Sequence, residues 1–474
     1  MLSFIGGVVL LVLGYFVYGK FIENLFGVDE NRKTPAFTMQ DGVDYVPMPT
    51  WKVFLIQLLN IAGLGPIFGA IQGALFGPAA FLWIALGSIF AGAVHDYLSG
   101  MISLRHNGAS LSEIQGIYLG KKIQNIMRVF TVVLLVLVGV VFVTGPAKLL
   151  AAITPGYMTL TFWVVVVFAY YFLATILPID VIIGRLYPLF GIALVIMAIG
   201  VGGGILLKGY HIPEIQFVNM HPKKLPIFPM MFITIACGAI SGFHATQSPL
   251  MARCMVNEKE GRKVFYGAMI AEGIIAMVWA AAGMAFYGGV QGLSEILGKV
   301  GPSGVVLEIT KTLLGPIGGV LAMLGVVACP ITSGDTAFRG ARLMIADMLN
   351  YKQDKISKRL YLAIPLFAVG IALTFINFDI IWRYFAWANQ TLAMVTLWAT
   401  AVYLVKNGKN HWVASIPATF MSYVSLSYIL QAKEGFKLPS TMSNLAGIFI
   451  AIVLFGIFIK FGKRFETIKL DEAV

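Results

Sequence analysis

Asn60-Ile61-Ala62-Gly63-Leu64-Gly65-Pro66 lies in the middle of an apolar run at 52–75, where it is a poor helix former. A second apolar run, at 228–248, contains Thr234-Ile235-Ala236-Cys237-Gly238-Ala239-Ile240-Ser241-Gly242-Phe243-His244. Glycine and proline weaken a helix, and proline also removes a backbone donor. In lipid, freed amides and carbonyls are tolerated only where they are buried in protein or line a polar cavity. The two stretches therefore predict two interrupted helices that border a site for an ion or a carboxylate.

The composition is that of a membrane protein. Of the 474 residues, 58% are hydrophobic and 12% are charged, whereas soluble proteins carry about 25% charged residues. The formal net charge of +12 would suit a nucleic-acid partner, but lysine and arginine in cytoplasmic loops explain it without one. Cys237, Cys254 and Cys329 lie too far apart to show a metal-binding spacing or a disulfide framework. We expect an all-α protein in the lipid bilayer, with no nucleic-acid partner and no cofactor other than a coupling ion.

Apolar runs of about 20 residues, long enough to span a membrane, recur along the whole chain. The first run has no basic residue before it and no clear cleavage site, so we interpret it as a retained helix rather than a signal peptide. The pattern predicts about thirteen transmembrane helices, at 2–19, 52–75, 79–104, 122–150, 158–178, 186–207, 228–248, 264–289, 308–333, 358–376, 381–405, 411–430 and 443–462.

Each interruption opens a block of five predicted helices. Because five is odd, the second block must enter the membrane with the opposite topology, as in transporters built from inverted repeats with a discontinuous first helix. The alternative is that these glycines and prolines serve close packing, which explains either interruption alone but not their matched positions. The predicted organisation is an extra helix and cytoplasmic loop (1–50), a first repeat (51–207), an extracytoplasmic connection (208–227), an inverted second repeat (228–405), and two C-terminal helices with a cytoplasmic tail (406–474).

The distribution of basic residues predicts the orientation. Most lysines and arginines lie in alternate loops, with the densest groups at 249–263 and 334–359. By the positive-inside rule, these loops are cytoplasmic, the N-terminus is outside and the C-terminus is inside. One cytoplasmic loop contains Ser110-Leu111-Ser112-Glu113, which has capping-box spacing and predicts a short interfacial helix through Tyr118, although an ordinary loop is the alternative.

Ionisable side chains inside spans are candidates for function because burying them is costly. His95-Asp96 lies in the third span, and we favour a role in proton handling or gating because histidine titrates near neutral pH. His244 either contacts the solute or bonds the broken backbone, and Glu272 lies within the eighth span. Asp335 and Arg339 have i, i+4 spacing, so they either take part in coupling or form an ion pair at the cytoplasmic end of the ninth span.

Thr332 and Ser333 follow Cys329-Pro330 near the predicted end of the ninth span. Two hydroxyls beside a carbonyl that proline leaves free form an oxygen-rich site suited to a hard cation such as Na⁺. The alternative is that both hydroxyls bond back to their own helix.

Motifs of other function classes are missing from the sequence. It contains no Walker A string, which excludes ATP-driven transport by that route. It also contains no HExxH motif and no nucleophile elbow, so a membrane metalloenzyme or hydrolase is unsupported.

Several longer strings resemble the carbon starvation protein A family. The matching strings are Asp41-Gly42-Val43-Asp44-Tyr45-Val46-Pro47, Ile-Ala-Gly-Leu-Gly-Pro-Ile at 61–67, Ala-Gly-Ala-Val-His-Asp-Tyr at 91–97, Ser103-Leu104-Arg105 with Gly108 and Ser110, Ala-Cys-Gly-Ala-Ile-Ser-Gly-Phe-His-Ala at 236–245, and Ile-Thr-Ser-Gly-Asp-Thr-Ala-Phe-Arg at 331–339. The resemblance implies a cytoplasmic-membrane protein of bacteria or archaea that is linked to nutrient limitation and takes up peptides or, in some members, pyruvate. It also implies the leucine-transporter fold, in which the third helix of the second repeat gives a hydroxyl pair to a sodium site. Thr332 and Ser333 match that position.

The sequence departs from the family pattern in three ways. It is shorter than the long enterobacterial members, and it has Gln57-Leu58 where those carry a histidine pair. After His244 it reads Ala-Thr-Gln-Ser-Pro-Leu-Met-Ala-Arg-Cys instead of a Gly-Thr-Thr-Pro-Lys type of string. The identities of the solute and of the coupling ion should therefore not be assumed to carry over from the family.

We predict a carrier driven by a sodium or proton gradient, with a solute site near the midplane between the interrupted helices. A channel, which needs a continuous pore, and a transporter-like sensor without flux are the alternatives; an enzyme would need a reactive cluster. The expected solute-binding residues are Asn60, Ala62, Gly63, Gly65, Gly238, Ser241, Gly242, His244 and Gln247. The expected residues for the coupling ion or proton are Ile61, Leu64, Thr332, Ser333, His95, Asp96, Asp335 and Arg339.

Overall fold

The computed structural model describes residues 1–42, 44–176, 179–216, 218–353 and 355–471, without the side chains of 176–188 and 461–471. These residues form helices and no strand. In chain order, the helices are α1 Leu2–Phe16, α2 Tyr18–Phe26, α3 Pro35–Thr38, α4 Thr50–Ile61, α5 Ala70–Gly73, α6 Ala79–Gly87, α7 Ala93–Arg105, α8 Leu111–Leu119, α9 Lys121–Ile153, α10 Leu160–Ile176, α11 Ile179–Leu207, α12 Ile227–Thr234, α13 Gly242–Ala252, α14 Gly267–Phe286, α15 Val290–Ala322, α16 Cys329–Met348, α17 Ile356–Thr374, α18 Phe378–Lys406, α19 Trp412–Gln431 and α20 Ser440–Asp471.

Ten helical segments in the described part of the chain are long and apolar enough to cross a membrane. An eleventh is formed by the two halves Thr50–Ile61 and Gly65–Phe76, which are bent by 52° at the first interruption. This confirms the all-α polytopic class. The number of thirteen helices, the five-plus-five repeat and the end of the span at 158–178, of which 177 and 178 lie outside the described residues, stay predictions.

Both interruptions are present. Helix α4 ends at Ile61, where Ala62 leaves the helical region (φ −84°, ψ 47°), and helical structure resumes at Gly65. Helix α12 ends at Thr234, and α13 begins only at Gly242. Between these helices the backbone is irregular and buried, as expected for broken helices at membrane depth.

The ninth span, predicted at 308–333, begins and ends at other residues in the structure. The chain turns at Gly301 (φ 66°) and at Gly315 (φ 62°), each of which precedes a proline. After Gly315 the chain stays helical to Met348, so Thr332, Ser333, Asp335 and Arg339 lie inside a helix and not at its cytoplasmic end. Hydropathy underestimates the length of this helix because the helix contains polar residues that are buried against other helices. Much of the segment 334–359, predicted as a loop, is therefore helix in the structure.

The segment between α2 and α4, residues 27–42 and 44–49, folds over one end of the bundle. Glu258 is fully buried there and pairs with Arg105 (2.9 Å) and Arg32 (3.1 Å), and it also accepts a bond from the amide of Asp29 (2.9 Å). The predicted helix after Ser110 is confirmed as α8, with both capping-box hydrogen bonds formed. The loops around α2, α8 and 253–263 thus share one side of the bundle.

The N-terminus lies at the opposite end, beside the connection 208–227. The terminal ammonium contacts the carboxylate of Glu214 at 2.5 Å. Hydrogen bonds from that ammonium and from Ser3 lower the pKa of Glu214 to about 2. This arrangement agrees with the prediction that the N-terminus and this connection share one side.

Replacing Glu258 should destabilise the protein far more than replacing an exposed acid nearby. The variant Glu258→Gln leaves Arg105 without its charged partner, and removing one member of a buried pair costs about 3–5 kcal/mol. The matched control is Glu30→Gln, since Glu30 forms an exposed pair with Lys259 that is worth ~0–1 kcal/mol. Thermal unfolding in detergent measures both variants; equal midpoints would contradict a buried network.

Candidate functional site

The two interruptions lie directly against each other. A Cβ atom added at Gly65 would lie 2.2 Å from the Cβ of Cys237, and one added at Gly238 would lie 3.5 Å from the Cα of Pro66. Ala62, Leu64, Ala239 and Ile240 have no exposed surface, and Cys237 is 4% exposed. The site is therefore one shared region deep in the bundle, closed to solvent from both sides.

One hydroxyl of the pair on α16, that of Ser333, faces a backbone carbonyl beside the first interruption. The Ser333 hydroxyl lies 3.4 Å from the Leu59 carbonyl and 3.2 Å from the Cys329 carbonyl, and Thr332 donates to Cys329 at 2.7 Å. The Cys329 thiol lies 4.0 Å from the Ala62 carbonyl. The Leu59 and Cys329 carbonyls thus lie beside the Ser333 hydroxyl where α4 ends, and the Thr332 hydroxyl and the Ala62 carbonyl both contact Cys329.

The sequence of the break explains why the Ala62 carbonyl is free of a helical hydrogen bond. Continued helix would pair the Ala62 carbonyl with residue 66, but Pro66 has no N–H group. Of the carbonyls expected to hold the ion, that of Leu64 instead accepts a 2.7 Å bond from Phe68 and belongs to the helix after the break. The Leu59 carbonyl faces the Ser333 hydroxyl and the Ala62 carbonyl faces the Cys329 thiol, while a role of the Ile61 carbonyl stays a prediction.

Asn389 on α18 holds the second interruption. Its side-chain oxygen accepts a bond from the Phe243 amide at 2.7 Å, and its nitrogen donates to the Cys237 thiol at 3.3 Å. Ser241 contacts the same amide group at 2.8 Å. A Cβ at Gly242 would lie 2.5 Å from the Asn389 carbonyl, so this approach requires glycine. Asn389 was not among the predicted site residues, although the Asn389-Gln390 pair within an apolar run was a usable signal.

Four titratable side chains form one fully buried cluster at the second interruption. His95 Nδ1 lies 2.7 Å from Asp96 Oδ1, and Asp96 Oδ2 lies 2.8 Å from His244 Nδ1. His244 Nε2 then lies 3.3 Å from Glu272 Oε2. The sequence singled out these residues separately, and the packing of α7, α13 and α14 brings them together. His244 therefore bonds carboxylates, which was neither of the two alternatives considered for it.

Several buried amide groups beside the interruptions have no hydrogen-bond partner among the described residues. The atoms without a partner are Nε2 and Oε1 of Gln57, Oδ1 of Asn60 and Oε1 of Gln247. Gln57 and Asn60 are three residues apart and lie on one face of α4. An unsatisfied buried polar group costs ~1–3 kcal/mol, so these atoms are suited to a polar guest.

Asp335 and Arg339 form an ion pair within α16. Their closest atoms lie 3.4 Å apart, and Arg339 also donates to the Ala174 carbonyl of α10 at 3.0 Å. The pair thus links two helices, in agreement with the ion-pair alternative but within the helix. Any part in coupling stays a prediction.

Comparison with known proteins gives a consistent result for sequence and fold. The family model described as carbon starvation protein CstA matches residues 1–205, 157–286 and 316–428. An uncharacterized membrane protein of Haemophilus influenzae is 46% identical over 349 residues, 63% of this chain and 94% of that protein. The peptide transporter CstA of Bacillus subtilis is 27% identical, with 90% of this chain and 89% of that one covered. The pyruvate/proton symporter BtsT of Escherichia coli is 28% identical over 58% of this chain and 48% of that one.

Solved structures share the fold at low sequence identity. A manganese transporter of Eremococcus coleocola (mutant H236A) has a TM-score of 0.53 at 13% identity, covering 89% of this chain and 98% of that one. The nucleobase-cation-symport-1 family transporter Mhp1, in a closed conformation, also has a TM-score of 0.53 at 13% identity, covering 87% and 92%. At this identity, the likeness concerns the fold alone.

Proposed function

The chain belongs to the carbon starvation protein CstA family, and from that premise we propose that it takes up a peptide or a small carboxylate such as pyruvate by coupling to a cation gradient. The family and the fold are those of transporters and not of enzymes. Relatives named as a peptide transporter and as a pyruvate/proton symporter support both solute classes. We place the protein in the cytoplasmic membrane with its N-terminus outside.

The contact between the two interrupted helices is the observation that carries this proposal. Irregular backbone at membrane depth needs polar partners, and here it lies in a closed centre between the two helices. A carrier needs such a centre, which opens to one side at a time. A channel needs a continuous pore, and the comparisons offer no support for a channel or a sensor.

We place the solute beside the interruptions. Gln57, Asn60 and Gln247 would bond its polar groups with the side-chain atoms that lack protein partners. The backbone of Gly63, Gly65, Gly238, Ser241 and Gly242 would contact it where close approach is possible. His244, whose ring nitrogens both face carboxylates, would shape this region without touching the solute.

We favour Na⁺ as the coupling ion, bound by Leu59, Ala62, Cys329, Thr332 and Ser333. Hard cations prefer oxygen ligands, and all five groups here are carbonyls or hydroxyls. The rival is a proton carried by His95 and Asp96, the pair for which the sequence favoured a role in proton handling or gating.

Uptake into proteoliposomes distinguishes these couplings. Under an inward sodium gradient at equal pH, labelled pyruvate, alanine or a di- or tripeptide should accumulate above its external concentration. A proton gradient without sodium should leave accumulation near the level of empty liposomes. Accumulation driven by protons alone would reject the sodium site, and equilibration without accumulation under either gradient would reject the carrier.

A further inference from the structure

Three side chains at the second interruption place metal-binding atoms close together. Cys237 lies in the interruption, His244 in the first turn of α13 and Glu272 in α14. One thiol sulfur, one imidazole nitrogen and one carboxylate oxygen from these residues all lie within 4.8 Å of one another. All three side chains are buried.

The hydrogen bonding around His244 leaves two acceptors facing each other. Nδ1 of His244 lies 2.8 Å from the Asp96 carboxylate, so Nδ1 donates to it, and in the neutral form of the ring the lone pair is then on Nε2. That lone pair faces Glu272 Oε2 at 3.3 Å. Nε2 and both Glu272 oxygens are buried, and none of them makes a hydrogen bond of standard geometry within the described residues. Two acceptors in this position need a cation between them.

The spacing fits a metal ion bound between the two groups. An N–H···O hydrogen bond spans ~2.7–3.2 Å and must be nearly straight. Two ligands of a tetrahedral zinc ion, each with a bond of about 2.0–2.1 Å, lie about 3.3–3.4 Å apart. The separation of 3.3 Å between His244 Nε2 and Glu272 Oε2 is longer than a usual N–H···O bond and fits the second arrangement.

We propose that Cys237, His244 and Glu272 bind one divalent ion of the zinc class. Thiolate, imidazole and carboxylate are the ligands zinc takes in proteins, and three of them leave the fourth tetrahedral position open. A thiolate and a carboxylate also neutralise a divalent charge, which makes its burial at membrane depth feasible.

The surrounding residues act as positioning groups for this site. Asp96 fixes the ring of His244 by accepting from Nδ1, an arrangement typical of metal-bound histidines. His95 lies 2.7 Å from the other oxygen of Asp96. The amide nitrogen of Asn389 lies 3.3 Å from the Cys237 sulfur. A bound ion would link Cys237, in the second interruption, to Glu272 of α14.

Cobalt binding to the purified full-length protein tests the site directly. After treatment with a chelator, the protein in detergent is titrated with Co²⁺, whose tetrahedral ligand-field bands and thiolate charge-transfer band report the ligand set. We expect one Co²⁺ per chain, displaceable by Zn²⁺. Cys237→Ser should abolish the thiolate band, and Glu272→Gln should weaken binding at least ~100-fold, beyond the ~10–100-fold loss typical of an outer-shell change.

The control for the thiolate is Cys254→Ser, because Cys254 is also buried but lies near the Asp44 backbone; it should keep the band. Asp96→Asn should weaken cobalt binding ~10–100-fold while the band persists, as expected of a positioning residue. No stoichiometric binding by folded wild-type protein would overturn the proposal and leave the cluster as a proton site. A thiolate band that survives in Cys237→Ser would also overturn it. These readouts do not depend on transport, so they can fail or succeed independently of the proposed uptake.

Discussion

Sodium-driven uptake should fall at least ~100-fold when Thr332→Ala and Ser333→Ala are combined. The double variant removes both hydroxyls that converge with the Leu59 and Cys329 carbonyls. A polar interaction with a charged group is worth about 1.5–3 kcal/mol. Losing two costs ~3–6 kcal/mol, and each 1.4 kcal/mol is a factor of ten in affinity. Initial uptake rates in proteoliposomes, measured over a range of sodium concentrations, should show the loss as a large rise in the sodium required.

Thr336→Ala is the matched control for this prediction. Thr336 is on the same helix and also buried, but its hydroxyl bonds the Ser333 carbonyl of its own helix at 2.8 Å. The control should keep the wild-type sodium dependence. If the double variant behaves like this control, the hydroxyl pair only bonds back to α16, and the sodium site is wrong.

The sequence predicted the features of this site that are local to the chain. Glycine and proline lower helix stability where they stand, so the breaks after Ile61 and after Thr234 could be located without knowledge of the packing. The capping box at Ser110 is equally local and was also confirmed. The prediction that the two breaks share one site rested on the count of five helices in each block, which is a less direct argument than local helix stability.

Contacts between helices could not be predicted from the sequence. The contacts of His244 with Asp96 and Glu272 depend on how α7, α13 and α14 pack. Spacing rules for metal sites examine ligands close together in sequence, so they do not detect a cysteine, a histidine and a glutamate spread over two helices and a loop. The extension of α16 to Met348 was missed because hydropathy treats buried polar residues as loop residues.

A large structural effect should come from one added methyl group at the contact between the breaks. In Gly65→Ala, the new Cβ would lie 2.2 Å from the Cβ and 2.4 Å from the sulfur of Cys237. Favourable carbon contacts are ~3.5–4.0 Å, and overpacking typically costs about 1–3 kcal/mol. Both Cβ atoms are attached directly to backbone, so neither can rotate away. We expect a cost at the top of that range and loss of uptake.

Removing the opposing side chain should restore the fold. In Gly65→Ala with Cys237→Gly, the nearest atom of residue 237 becomes its Cα at 3.7 Å, an ordinary contact. The double variant should unfold in detergent at a higher temperature than Gly65→Ala alone, a coupling expected only of residues in contact. Gly203→Ala in α11, where no atom lies within 4 Å of the new Cβ, should match wild type. Additive effects of the two substitutions would show that the breaks do not touch, and the shared site between them would have to be abandoned.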